Sequence, residues 1–321
     1  MISRNPLALS ALFGCLAFLP VGCGSESGQT SGQTSAESSV KAILAGMEDG
    51  RPVVAWEALP ESYQADVNKL VQLFATNMDA GAWSQIMGLI GNVHQTLDSK
   101  QEFLLNYPAI LNSENPAVAQ ATVKHSTKVL KTLLDSVQDL EKLKSFDGKT
   151  FMESSGKDIA AQIMSLQNMV KETPGMMVQV SGIKVETLES TSTTAKLKLT
   201  SPDGKDEQVI EMVQKDGKWL PKEMVDGWDE GVMKAHEAMA NLPEQAAAMK
   251  GQMMMVSAVA SGILTPLQAA EDQEQFNNAV DAMQASLGGM IGGMMGGMGA
   301  PGVAPSDAPR GGSDFGSGSD Q

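Results

Sequence analysis

The stretch AKLKLTSPDGKDEQVIEMVQKDGKWLP, residues 195–221, decides the fold class of this chain. Apolar and charged residues alternate in it with a period of two, which is typical of half-buried β-strands. Residues 201–204 are a turn signal, and Asp216 with Gly217 is the signal of a two-residue hairpin, so consecutive strands run antiparallel. The stretch therefore predicts an antiparallel meander whose last strand carries Trp219 and ends at Pro221.

The meander extends towards the amino terminus to about residue 176. Val178 and Val180 alternate with polar neighbours, Gly182 shifts the phase as a β-bulge would, and Val185 continues the alternation. Together with the stretch quoted above, this pattern predicts about four strands within residues 176–225.

The sequence on both sides of the meander predicts helices, because its apolar residues recur every three to four positions. Residues 40–175 form a helical region, in which the longest helix is expected from Asn115 to about Lys144. Residues 226–287 are expected to form C-terminal helices that are interrupted at Pro243 and Pro266. The predicted fold class is helix-rich α+β, with an N-terminal helical region, an antiparallel meander of about four strands, C-terminal helices and a disordered Gly/Met tail.

That tail, residues 288–321, is dominated by glycine, methionine, proline and serine. Each glycine costs a helix about 1 kcal/mol relative to alanine, and no apolar face is evident that would offset the cost. We therefore expect a disordered tail. The alternative is a membrane-associated helix, because glycines recur every fourth place from Gly288 to Gly296, which resembles the glycine zipper of membrane-inserted helices.

The amino-terminal segment has the three zones of an export signal. Arg4 contributes a positive charge, and residues 7–19 are an uncharged, mostly apolar run of 13 residues. That run is shorter than the roughly 20 residues of a bilayer span. A repeated SGQT unit follows without any large apolar side chain, so we expect a signal peptide at residues 1–22 and a flexible tether at residues 23–39.

Gly22 and Cys23 resemble the lipidation site of bacterial exported lipoproteins. In that family the cysteine follows a small residue, is diacylated and becomes the first residue after cleavage; Pro20 stands where the family usually has leucine. The resemblance implies that Cys23 is lipidated and that this lipid anchors the chain to a membrane of the cell envelope. The alternative is ordinary secretion, with cleavage near Gly22 or Gly24.

The motif DGKWLPKEM, residues 216–224, resembles the last strands of nuclear transport factor 2-like and cystatin-like domains. The resemblance covers the meander alone. It implies a curved sheet with helices packed on it and a cone-shaped pocket between them.

The histidines and acidic residues do not form a recognised catalytic or metal-binding motif. His94, His125 and His236 have no second histidine at a ligand spacing, and Ala240 stands where a zinc-protease helix that begins at His236 would have one. The acidic residues within 226–230 are interpreted as a helix-start group near the positive end of a helix dipole, not as a calcium loop. We therefore predict no catalytic residue, no metal and no cofactor.

The overall composition narrows the possible functions. A net charge of −15 argues against a nucleic-acid partner. No cysteine follows Cys23, so packing without disulfides must stabilise the fold.

The predicted function is that of a non-catalytic binding or scaffolding module with a protein partner in the envelope. The alternatives are a small-ligand carrier or enzyme using the cone-shaped pocket, and Cu(I) handling through the thioethers of residues 253–255 and 290–298.

Overall fold

The computed structural model describes residues 35–169 and 181–297. Within them, helices come first, a four-stranded antiparallel sheet follows, and helices return after the sheet. The predicted helix-rich α+β class is therefore confirmed. The expected signal peptide, Cys23, most of the expected tether and the expected strand at Val178 and Val180 lie outside the described residues.

Short loops separate the helices that precede the sheet, and some of these helices begin at a side-chain cap such as Asp79 or Asn115. In the described part of the chain these helices are α1 (Ala36–Glu48), α2 (Val53–Glu57), α3 (Glu61–Asn77), α4 (Ala80–Ser99), α5 (Gln101–Leu105), α6 (Pro108–Leu111), α7 (Pro116–Val137), α8 (Leu140–Leu143), α9 (Gly148–Phe151) and α10 (Lys157–Met169). A π-helical turn, Met152–Gly156, joins α9 to α10.

Helix α1 begins earlier than the tether prediction allowed. The Ser35 hydroxyl accepts a hydrogen bond from the backbone N–H of Ser38 at 3.1 Å, which caps the first turn. Ala36 and Val40 are buried, at 2% and 3% exposure. Residues 36–39 therefore belong to the folded part, because the cap and the packing of α1 offset the entropy of ordering them.

The long helix expected to reach Lys144 ends at Val137, and this part of the prediction was wrong. The Asp139 carboxylate accepts hydrogen bonds from the N–H groups of Glu141 and Lys142, at 3.0 and 3.4 Å, and so starts a new helix, α8. The Trp83 indole N–H donates to the carbonyl of Val137 at 3.1 Å, which satisfies a carbonyl that the helix end leaves free.

The sheet is a simple meander of β1 (Lys184–Ser190), β2 (Thr194–Thr200), β3 (Glu207–Lys215) and β4 (Lys218–Pro221), paired in chain order. Asp216 and Gly217 both have positive φ, 50° and 77°, as a two-residue hairpin turn requires. The expected bulge is not at Gly182, which lies in a turn before β1. It lies between Thr187 and Glu189, where the register with β2 shifts.

The two faces of the sheet differ, as the alternation predicted. The inner face packs against α1 and forms a buried core: Ala36, Val40, Val185, Ala195, Leu197, Leu199, Ile210, Met212 and Trp219. The outer face carries charges along β2, where Lys198 pairs with Glu207 at 2.6 Å and Lys196 pairs with Glu189 at 3.2 Å.

After the sheet come α11 (Lys222–Ala240), α12 (Leu242–Ala269) and α13 (Gln273–Gly297). Because α11 begins directly after Pro221, Asp226 and Glu230 lie inside it. The interpretation of these acids as a helix-start group was therefore wrong. They form ion pairs one turn away instead, Asp226 with Lys222 and Glu230 with Lys234.

The last two helices continue past the residues that were expected to interrupt or end them, Pro266 and the glycines after Leu287. Pro266 lies inside α12 and does not end it. Helix α13 continues past Leu287 to Gly297, and residues 298–321, the rest of the expected tail, lie outside the described residues. None of the helices in the described ranges combines the length and the apolar character needed to cross a membrane.

Candidate functional site

An exposed apolar surface on α12 is the candidate site. Met254, Met255, Val256 and Val259, which we call the methionine face, are 69%, 71%, 55% and 37% exposed. No charged residue occurs between Lys250 and Glu271, so no charge on α12 interrupts this surface. Large apolar side chains exposed together on one segment of a soluble protein mark a candidate interaction site.

Two glycines extend the methionine face along the helix. Gly251, Met255, Val259 and Gly262 follow the i, i+4, i+8 and i+11 spacing of one helix side. A Cβ atom added to Gly251 or Gly262 would meet no described atom within 4 Å. Each glycine weakens a helix interior by about 1 kcal/mol, and no neighbour within the described fold uses the close approach that these two permit.

The methionine face is held in place because the far end of α12 is anchored to α4. Leu267 is buried, and the Gln268 side-chain amide donates to the Thr96 hydroxyl at 2.8 Å. The Lys100 ammonium donates to the carbonyl of Ala270, the cap of α12, at 2.7 Å. These contacts fix the base of the hairpin formed by α12 and α13.

A cavity of about 180 Å³ lies between α4 and this hairpin. Its wall is mostly apolar, and its lining residues include Val93, Leu97, Leu104, Leu267, Phe276 and Val280. Thr96 and Lys100 also line it, through the apolar parts of their side chains. Apart from Lys100, which lies between α4 and α5, the lining residues belong to helices. None of them belongs to the sheet.

The structure brings one of the three histidines, His125, next to a serine. His125 Nδ1 lies 2.8 Å from Gln162 Oε1, and His125 Nε2 lies 3.4 Å from Ser165 Oγ. A catalytic base needs a shorter contact, about 2.6–3.2 Å, and a neutral amide gives an imidazolium less support than a carboxylate. The described contacts therefore orient the His125 ring but do not activate Ser165.

The other histidines stay apart. His94 lies on α4 and His236 on α11, both half-buried. Across the described ranges, no group of three or more His, Cys, Asp or Glu side chains is arranged to hold a metal ion.

An open apolar groove of about 410 Å³ runs along α7 and α10. Its lining residues include Leu130, Leu133 and Ile163.

The four tryptophans contribute to packing. Trp56 is fully buried and Trp219 is 6% exposed. Trp228 stacks on Tyr63 with ring centroids 3.9 Å apart, and its indole N–H donates to Asp66 at 3.0 Å. Burial raises the pKa of Tyr63, and the negative charges of nearby aspartates, Asp229 first, raise it further.

The sequence pattern pointed to part of the candidate site but not to its role. The pattern offers residues 253–255 only as an alternative Cu(I) site, and it does not indicate that the methionine face is exposed. The available signal was the run from residue 251 to residue 270, which has no charge at all. The cavity had no signal in the sequence, because its lining residues come from separate helices and look like ordinary core residues.

A scan against protein-family models, a search of curated proteins and a search of solved structures found no match to this chain. The interpretation of the methionine face therefore depends on its own geometry.

Proposed function

We propose that this protein is a cell-envelope lipoprotein whose folded part is a non-catalytic binding module for a protein partner. The methionine face carries the proposal, because it is exposed, free of charge and anchored at its base. The export-signal pattern and Cys23 support the location, with the lipid holding the chain at a membrane.

The methionine face is better suited to contact an apolar protein surface than a charged one. Fully burying a methionine or valine side chain contributes about 1.5–3 kcal/mol, so covering the four residues of the face provides a substantial driving force. The flexible thioethers of Met254 and Met255 adapt to the shape of the partner. The partner surface is expected to be apolar with a basic rim, since the chain as a whole carries a net charge of −15.

Site-specific photocrosslinking in the native envelope tests the partner. A photoreactive amino acid replaces Met255, and the control carries it at Lys196, whose side chain is 42% exposed on the charged outer face of the sheet. We expect a discrete protein adduct from position 255 and none from position 196. Adducts with lipid alone, no adduct, or the same adducts from both positions would contradict the proposal.

The lipid anchor is tested separately by mass spectrometry of the mature amino terminus. The proposal expects a diacylated Cys23 as the first residue, and release of the Cys23→Ser variant from the membrane fraction. A free amino terminus at any later residue would show that the protein is secreted without a lipid.

The alternative functions have less support among the described residues. Side chains of α1 fill the inner face of the sheet, where the cone-shaped pocket was expected. Met254 and Met255 point to water without a companion histidine or cysteine among the described residues, so their exposure favours binding of a partner over Cu(I) handling.

A further inference from the structure

The cavity between α4 and the hairpin of α12 and α13 extends from the core towards the surface of the molecule. One side of it is formed by four buried residues, Thr96, Leu267, Phe276 and Val280. The other lining residues, such as Val93 and Leu264, are half-buried. The cavity therefore lies partly in the core and partly near solvent, between packed helices, which is a typical position for a small-molecule site.

No polar atom contributes to the surface of this cavity. The Lys100 ammonium donates to the carbonyl of Ala270 at 2.7 Å, so this side chain lines the cavity through its apolar stem. The Thr96 hydroxyl donates to the carbonyl of Asn92 at 2.7 Å and accepts from the Gln268 amide at 2.8 Å. A carboxylate, alcohol or amine that entered would lose its hydrogen bonds to water without gaining new ones. The wall therefore selects an uncharged molecule without hydrogen-bonding groups.

The cavity is also larger than an ordinary packing defect. Its volume is about 180 Å³, whereas protein interiors contain few voids larger than a water molecule. The atoms that line such a space lack contact partners on one side, and a molecule that fits the space restores those contacts. An apolar cavity of about 150 Å³ in another protein stays dry and binds benzene, so this one has room for about six to eight carbon atoms.

We propose that this cavity binds one small, uncharged, hydrocarbon-like molecule of about six to eight carbon atoms. Phe276 and Met283 favour a ring-shaped molecule, because an aromatic ring packs well against another ring and against a thioether sulfur. Burial of apolar surface drives the binding, and no ion pair or hydrogen bond contributes to it. The cavity shares no residue with the methionine face, so the proposal goes beyond partner binding and does not depend on it.

Nuclear magnetic resonance of the full-length protein with labelled methionine methyl groups tests the proposal. The Met283 methyl group reports on the cavity that it lines. The Met254 methyl group belongs to a side chain that is 69% exposed, and it is the internal control. The variants Met283→Leu and Met254→Leu assign the two signals. Benzene should shift the Met283 signal in a saturable manner and leave the Met254 signal unchanged.

Phenol is the matched polar probe, because it adds one hydroxyl group to benzene. That hydroxyl has no partner in the cavity wall, so phenol should bind more weakly than benzene by roughly tenfold or more. Saturation with benzene should also raise the melting temperature, since a ligand that binds only the folded state stabilises it.

Two variants with the same substitution locate the site. Val93→Phe places a phenyl ring at the cavity wall and should abolish benzene binding by filling the space. Val209→Phe makes the same change on the outer face of the sheet, where Val209 is 54% exposed, and should leave benzene binding unchanged.

Several results would overturn the proposal. These are an unshifted Met283 signal in benzene-saturated buffer, equal shifts of the Met283 and Met254 signals, equal affinity for benzene and phenol, or benzene binding that survives in Val93→Phe. If Val93→Phe does not fold, the titrations of the native protein with benzene and phenol still decide the question.

Discussion

At the scale of single residues, the distance between neighbouring elements decides which glycines the fold requires. Gly46 lies in α1 where that helix crosses α2, and a Cβ atom added to it would lie 2.7 Å from the Cβ and Cγ2 atoms of Val54. Gly88 also lies in a helix, α4, but a Cβ atom there would meet nothing within 4 Å. The two glycines share a backbone environment and differ in their surroundings.

Replacing each glycine by alanine should therefore have opposite effects on stability. Gly46→Ala should lower the free energy of unfolding by about 1–3 kcal/mol, because the new methyl group overpacks the contact with Val54. Gly88→Ala should raise it by up to about 1 kcal/mol, because alanine is the better helix former. Denaturant unfolding of both variants measures the difference, and a change of the same sign in both would contradict this account.

At the scale of an element, α12 contains two prolines in different places. Pro243 lies in the first turn, where its missing N–H has no partner to lose. Pro266 lies inside the helix and cannot donate to the carbonyl of Gly262, which is exposed to water. The helix continues through Pro266 because Leu267 and Ala270 are anchored in the core beyond it.

Pro266→Ala should stabilise the protein, because it restores the hydrogen bond to Gly262 and removes the clash of the ring. The expected increase in the free energy of unfolding is up to about 3 kcal/mol. Pro243→Ala is the matched control and should change it by no more than about 0.5 kcal/mol. Thermal and denaturant unfolding measure both variants, and equal changes would show that Pro266 does not strain the helix.

At the scale of the whole molecule, apolar packing stabilises several separate cores. One core lies under the sheet, one surrounds Trp56, one lies at the base of the C-terminal hairpin and one surrounds Leu140. No cysteine follows Cys23, so no disulfide joins these cores. Surface ion pairs such as Lys131 with Asp135 add little, since exposed pairs contribute about 0–1 kcal/mol each.

The folded part should therefore be independent of metal ions. Treatment of the purified protein with a chelator is expected to leave the melting temperature unchanged, because the described residues contain no cluster of metal-ligating side chains. Differential scanning calorimetry before and after chelation measures this. A drop of roughly ten degrees or more would reveal a structural metal site that this account lacks.

The features that the sequence by itself determined are local ones. Alternation along β2 and β3 predicted which side chains face the core, and the hairpin signal at Asp216 and Gly217 was confirmed by their positive φ angles. These features were predictable because strand period and turn conformation depend on neighbouring residues. The recurrence of apolar residues every three to four positions likewise predicted helices on both sides of the meander, and these are observed.

Tertiary structure alone decided the features that depend on distant residues. The Trp83 indole meets the carbonyl of Val137 where α7 ends, and the packing of Ala36 extends α1 into the expected tether. The methionine face is exposed because the described helices leave that part of α12 uncovered, and the cavity exists because α4 and the hairpin do not pack completely against each other. Burial is a property of the packed chain, so no local pattern states which apolar residues stay exposed.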